Sequence, residues 1–150
     1  MDFDSVDSIL DFAITNEEKA AKMYVDLADS VRRPGMREVF LEFSREEARH
    51  KARLLEIKKG ELPAVTSEKV QDLKITEYLV DVEPSSSMTY AEALQYAMKA
   101  EKAAFKLYMD LAAATDDAAL SEIFQSLAQE EAKHKLRFEI EYEDQILEGV

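Results

Sequence analysis

The chain has 150 residues, a formal net charge of −13, three glycines, three prolines and no cysteine. That length gives one domain room for a real hydrophobic core. Without cysteine there are no disulfides, thiolate metal sites or iron–sulfur clusters, and the negative charge disfavours nucleic acid and anionic membranes as partners. The acidic start, Met1-Asp2-Phe3-Asp4, lacks the basic and apolar regions of a signal peptide. No apolar run is long enough to span a membrane. The expected setting is therefore the cytoplasm.

Abundant alanine, leucine, glutamate and lysine favour helix. The first helix is expected from Ser5 to Arg32, with Ile9, Phe12, Ala13, Ala20, Tyr24, Leu27 and Val31 at helical spacing. Pro34-Gly35 predicts a short turn. The second helix runs from Met36 to Lys59, turns Val39, Phe40, Phe43, Leu54 and Ile57 inward, and stops at Gly60. Between Gly60 and Thr89 lies a connection containing Pro63, Pro84 and Ser85-Ser86-Ser87. Its stretch Glu68 to Val82 is apolar enough to pack on a bundle, as a short helix or as extended chain. Thr89 with Glu92 is a capping-box signature for the third helix, which reaches Ala114. Thr115-Asp116-Asp117 turns the chain into a fourth helix ending near Leu147, with Gly149 beyond it.

The two halves repeat. An offset of 84 positions carries Glu47 onto Glu131 and His50 onto His134. It also carries Glu17 onto Glu101, Ala20 onto Ala104, Tyr24 onto Tyr108, Phe40 onto Phe124 and Lys51 onto Lys135. The expectation is one all-α domain over residues 1–150, with repeats at about 5–60 and 89–148 and a crossover at about 61–88. A helix of about 25 residues is about 40 Å long. The connection can cover that distance, so the third helix can start from the far end of the bundle.

Both histidines of the chain stand in a Glu-x-x-His frame. Residues three apart share a helical face, so Glu47 points with His50 and Glu131 with His134. Glu17 and Glu101 likewise interrupt faces that are otherwise apolar or aromatic. A single Glu-x-x-His is ordinary on a solvated helix. Two copies at one repeat offset, each with an upstream glutamate, are not. Four carboxylates on core faces are costly unless cations compensate them. One Glu from each of two helices and Glu-x-x-His from the other two is the ligand pattern of di-iron and di-manganese carboxylate bundles. Such mixed carboxylate and imidazole ligation suits Fe(II) or Mn(II), and abundance favours iron.

Glu17-x-x-Ala20-x-x-x-Tyr24 with Glu46-Glu47-Ala48-Arg49-His50, and Glu101-x-x-Ala104-x-x-x-Tyr108 with Glu130-Glu131-Ala132-Lys133-His134, resemble the rubrerythrin branch of the ferritin-like superfamily. The resemblance covers nearly the whole chain. It implies a ferritin-like four-helix bundle with one long crossover between helices 2 and 3. It implies two iron ions bridged by Glu47 and Glu131, with Glu17 and His50 terminal on one and Glu101 and His134 terminal on the other. Tyr24 and Tyr108 would hydrogen-bond ligand carboxylates.

The implied function is reduction of hydrogen peroxide to water in oxidative-stress defence, with electrons from a separate donor such as rubredoxin or a reductase. The alternatives are a bacterioferritin-like ferroxidase using dioxygen or peroxide, and a non-catalytic metal-stabilised bundle. A homodimer is implied, and the crossover permits exchange of helices between subunits. Two features depart from typical rubrerythrins. There is no cysteine for a rubredoxin domain, and Ala104 stands where an additional glutamate ligand is usual.

Glu46 and Glu130 rotate about 100° away from the bridging positions and are expected to be solvated. Lys51, Arg53, Lys135 and Arg137 are expected to pair with surface acids, and Met23 and Met98 to fill core gaps.

Overall fold

The computed structural model describes residues 6–31, 34–60, 73, 75–80 and 89–148. Four long helices dominate: α1 (Val6–Ser30), α2 (Pro34–Lys58), α3 (Tyr90–Ala114) and α4 (Ala118–Glu148). No helix among the described residues is long and apolar enough to cross a membrane.

Local chemistry sets the helix ends. The capping box forms in full: the Glu92 amide donates to Thr89 Oγ1 at 3.1 Å, and the Thr89 amide donates to Glu92 Oε1 at 3.0 Å. Asp117 caps α4, its Oδ1 accepting from the Leu120 amide at 2.8 Å. Gly60 stops α2 with φ of +80°, a conformation that costs glycine nothing. The start of α2 differs from expectation. Pro34 and Gly35 form its first turn rather than a separate turn, because proline's missing N–H is one of the donors a first turn leaves unpaired anyway.

The apolar side chains fall into two clusters. One contains Ile9, Leu10, Ala13 and Ile14 of α1, Leu54 and Ile57 of α2, Leu107, Tyr108, Leu111 and Ala112 of α3, and Leu120, Phe124, Leu127 and Ala128 of α4. The other contains Tyr24, Leu27 and Ala28 of α1, Met36 and Phe40 of α2, Leu94 and Ala97 of α3, and Phe138 of α4. Leu10 and Ile14, absent from the expected inward set, are buried here.

The order of these residues gives the topology. α1 and α4 run from the first cluster toward the second, whereas α2 and α3 run from the second toward the first. α2 and α3 are therefore parallel, and the chain between them must return along the length of the bundle. This is the ferritin-like connectivity. Repeat mates occupy opposite clusters: Tyr24 and Tyr108, Phe40 and Phe124, and Leu54 and Phe138 each divide this way. A pseudo-two-fold axis across the bundle explains the exchange, and it passes between the clusters.

Within the crossover, Ile75–Glu77 forms one 3-10 turn. Tyr78 follows it, buried in the first cluster, and donates to Asp110 Oδ2 at 2.7 Å. Leu73 packs against the first cluster and Leu79 is exposed. Residues 68–72, 74, 81 and 82 of the expected apolar stretch, and Gly149, lie outside the described residues.

Candidate metal centre

The polar section of the bundle lies between the two apolar clusters. Each helix reaches it one or two turns past its apolar residues. α1 supplies Glu17, α2 supplies Glu47 and His50, α3 supplies Glu101, and α4 supplies Glu131 and His134. All six are buried, none more than 3% exposed. The structure brings together every residue that the sequence pattern selected for the centre.

The six divide into two overlapping groups of four. Glu17, Glu47, His50 and Glu131 form one; Glu47, Glu101, Glu131 and His134 form the other. Within each group one ligand atom per residue lies within 4.8 Å of all the others. Glu47 and Glu131 belong to both. His50 Nδ1 is 2.7 Å from Glu131 Oε1, 3.5 Å from Glu17 Oε2 and 3.9 Å from Glu47 Oε2. His134 Nδ1 is 2.9 Å from Glu47 Oε1 and 3.7 Å from Glu101 Oε2. The Nδ1 of each imidazole thus comes nearest to the shared glutamate of the opposite repeat.

These approaches are close, but the inner atoms are not hydrogen-bonded. Glu17 Oε2, Glu47 Oε1, Glu101 Oε2, Glu131 Oε1 and both histidine Nδ1 atoms are buried without a hydrogen-bond partner among the described residues. Unsatisfied buried polar atoms are costly, and six around one point require an explanation. Cations provide it. Carboxylate oxygen and imidazole nitrogen are metal-ligand atoms, and the shared glutamates have two oxygens each to offer. The residues present fit a pair of cations.

Electrostatics agrees. Burial, then the charges of Glu131 and Glu17, push Glu47 well above the usual carboxylate range. Burial, then the charges of Glu101 and Glu17, do the same to Glu131. Burial raises Glu101 to about 8. Burial also opposes ionisation of Glu17, but the close approach of Glu47 and His50, His50's charge and the Tyr108 hydroxyl outweigh it and bring Glu17 below its ordinary value. Burial disfavours charge on His50, yet Glu131 and Glu17 overcome that and raise it to about 12. His134 rises against burial in the same way, chiefly through Glu47. Four carboxylates cannot all ionise together here without positive charge among them.

The surrounding residues correct two expectations. Tyr108 donates its hydroxyl to a carboxylate of the cluster, Glu17 on the other repeat. Its mate Tyr24 does not do the same: it is fully buried, its hydroxyl has no partner among the described residues, and its ring meets that of His134 in a T-shaped contact with centroids 5.9 Å apart. Glu46 and Glu130 are not simply solvated: Glu46 reaches Nε2 of His134, and Glu130 reaches Nε2 of His50. Spacing had placed them off the ligand face and said nothing of the neighbouring helix.

One more acid was missed. Glu141 is only 3% exposed and accepts from the Tyr90 hydroxyl at 3.1 Å. It lies seven residues beyond His134 and three beyond Phe138, so helical spacing alone could have placed it inward.

The surface pairs are as expected for Lys51 with Glu18 at 2.9 Å, Arg53 with Glu56 at 3.0 Å, and Lys135 with Glu139. Arg137 reaches inward far enough for its Nη2 to lie 3.2 Å from Met36 Sδ. Met23 and Met98 pack against the second cluster. Ala104 packs, half-buried, against the first.

Comparison with known proteins follows the same lines. A candidate ferritin-like diiron-carboxylate protein from Thermotoga maritima superposes with a TM-score of 0.77 at 20% identity, covering 97% of this chain and 99% of that one. A hypothetical protein from Pyrococcus furiosus superposes with a TM-score of 0.73 at 24% identity, covering 93% and 89%. These likenesses establish the ferritin-like fold. No curated protein matches the chain. The rubrerythrin family model matches residues 8–142, nearly the whole length including both Glu-x-x-His frames, and the chain belongs to the rubrerythrin family.

Proposed function

We propose that this protein holds two iron ions and reduces hydrogen peroxide to water in oxidative-stress defence, drawing electrons from a separate donor. Glu47 and Glu131 bridge the ions. Glu17 and His50 complete one site, and Glu101 and His134 the other. The observation that carries the proposal is the overlap of the two ligand groups on Glu47 and Glu131. Two shared carboxylates bring two cations within reach of one small substrate. The proposal extends to rubredoxin or a reductase as donor, a homodimer and a cytoplasmic setting.

When bound, the iron pair supplies the two electrons that, with two protons, turn one peroxide into two waters. The chain's residues do the rest. The carboxylates and imidazoles fix the positions of the cations. The apolar clusters at either end keep bulk water from the section between them, which strengthens every charge interaction there. Tyr108 holds Glu17 in one orientation through its hydroxyl.

Ala104 favours a second reading, a ferroxidase that oxidises Fe(II) with dioxygen or peroxide. A symmetric set of four glutamates and two histidines matches bacterioferritin in ligand count. One experiment separates the two. Iron-loaded protein is given peroxide and an electron donor, and both peroxide loss and protein-bound iron are followed. Repeated turnover at constant iron supports the peroxidase. Net accumulation of Fe(III) without repeated turnover overturns it in favour of the ferroxidase. Bound zinc with no redox activity overturns both.

A further inference from the structure

Each histidine of the centre is clasped by two consecutive glutamates of the opposite repeat. Glu131 of α4 lies 2.7 Å from Nδ1 of His50, and Glu130 of the same helix touches its Nε2. Glu47 of α2 lies 2.9 Å from Nδ1 of His134, and Glu46 touches its Nε2. The arrangement occurs twice, once in each direction across the pseudo-two-fold axis.

Helix geometry explains how this arises. α2 and α4 are antiparallel, and their Glu-x-x-His frames stand at the same level. A residue immediately before the shared glutamate projects about 100° around the helix from it. That rotation takes Glu130 off the inner face and toward the flank of α2, where the outer edge of His50 lies. Glu46 does the same toward α4 and His134. The side chains of Glu130 and Glu46 are 43% and 26% exposed, so each carboxylate keeps contact with water while gripping a ring that is buried. Arg49 approaches Glu46 at 3.9 Å and steadies that side further.

The chemistry requires such a partner. A neutral imidazole carries one N–H, and the nitrogen that binds a cation must be the other one. Nδ1 of both histidines faces the cluster of carboxylates, so the proton belongs on Nε2. A carboxylate accepting from Nε2–H fixes that tautomer, orients the ring and makes Nδ1 a better donor to a cation. Building on the metal-binding reading above, we infer that Glu46 and Glu130 are positioning residues exchanged between the repeats: Glu130 prepares His50 for its ion, and Glu46 prepares His134 for the other.

Cobalt(II) titration of the full-length, metal-free chain tests this, with helicity checked for every variant. Wild type should bind two Co(II). Glu130→Ala should weaken one of them by about 10- to 100-fold, and it should be the ion that His50→Ala loses. His50→Ala combined with Glu130→Ala should therefore lose little more than His50→Ala alone, whereas His50→Ala combined with Glu46→Ala should weaken both ions. Glu130→Gln, whose carbonyl still accepts from Nε2–H, should recover most of the affinity. The Co(II)-loaded wild type should also show two slowly exchanging imidazole N–H proton resonances, one of which Glu130→Ala makes fast or abolishes. Wild type that binds no Co(II) pair would overturn the metal reading and this inference with it. Wild type that binds two, with Glu130→Ala unchanged or weakening both ions equally, would overturn this inference alone.

Discussion

Tyr108 on α3 donates its hydroxyl to Glu17 on α1, tying the two repeats together inside the core, while its repeat mate Tyr24 has a buried hydroxyl with no partner among the described residues. The same substitution should therefore act oppositely at the two positions. In metal-free protein, Tyr108→Phe removes a buried bond to a carboxylate and should cost about 1.5–3 kcal/mol. Tyr24→Phe removes only an unsatisfied buried hydroxyl and should be neutral or slightly stabilising. Denaturant unfolding of both variants checks this. Equal losses at the two positions would refute the asymmetry.

Sharing of Glu47 and Glu131 between the two ligand groups predicts the pattern of metal loss. Glu47→Ala or Glu131→Ala should abolish binding of the pair, because each takes a ligand from both ions. His50→Ala or His134→Ala should weaken mainly one. Metal counts on purified variants decide it. Two full equivalents on Glu131→Ala would end the bridging assignment.

The buried acids give the metal-free protein an unusual pH dependence. Unfolded, Glu101 titrates near 4.5; folded, burial raises it to about 8. Below pH 4.5 it is neutral in both states and contributes nothing. As pH rises through that window the unfolded chain ionises freely while the folded chain cannot, so stability falls. Glu47 and Glu131 are raised and act in the same direction. His50 adds to it, since its favourable protonation is complete below 6.5 and is lost toward its folded value of about 12. Among the six residues of the centre, Glu17, which is lowered, works the other way. The melting temperature without metal should thus be higher at pH 5.5 than at pH 8, and Glu101→Gln should flatten the slope. A melting temperature that rises with pH would contradict it.

Metal loading should reverse that cost. Cations replace the protons on the raised carboxylates, so binding should release protons and raise the melting temperature. Thermal unfolding with and without chelator, together with calorimetry in buffers of different ionisation enthalpy, measures both. An unchanged melting temperature after verified metal removal would count against a buried site.

Ala104 packs, half-buried, against the first cluster, at the position where the resemblance to rubrerythrins expects an additional glutamate. With no alternative ligand at that position, both ions should keep their histidines through oxidation and reduction. Crystal structures of the two states should show no large displacement of either ion. Movement of one ion from a histidine toward the Ala104 side would refute this.

Much of the protein was legible in the chain. The capping box at Thr89 and Glu92, the stop at Gly60 and the four helices follow from local rules, because a helix end is satisfied by residues within one turn of it. The six residues of the centre were legible for a different reason. Their spacing puts each on a core face, a buried charge needs compensation, and the repeat offset links the two halves. At Pro34-Gly35, where the dipeptide predicts a turn, the helix instead includes both residues.

Only the tertiary structure decided which side chain meets which across helices. Helical periodicity fixes the direction of a residue relative to its own axis. It does not fix the rotation or level of the neighbouring helix. That Tyr108 reaches Glu17, on a helix of the other repeat, is therefore decided by the packing. Glu46 and Glu130 read as solvated because they lie off the inner face, yet the antiparallel packing of α2 and α4 sets the outer edge of a histidine against each. The sequence by itself determined the six candidate ligands. The packing of one repeat against the other determined how they are held.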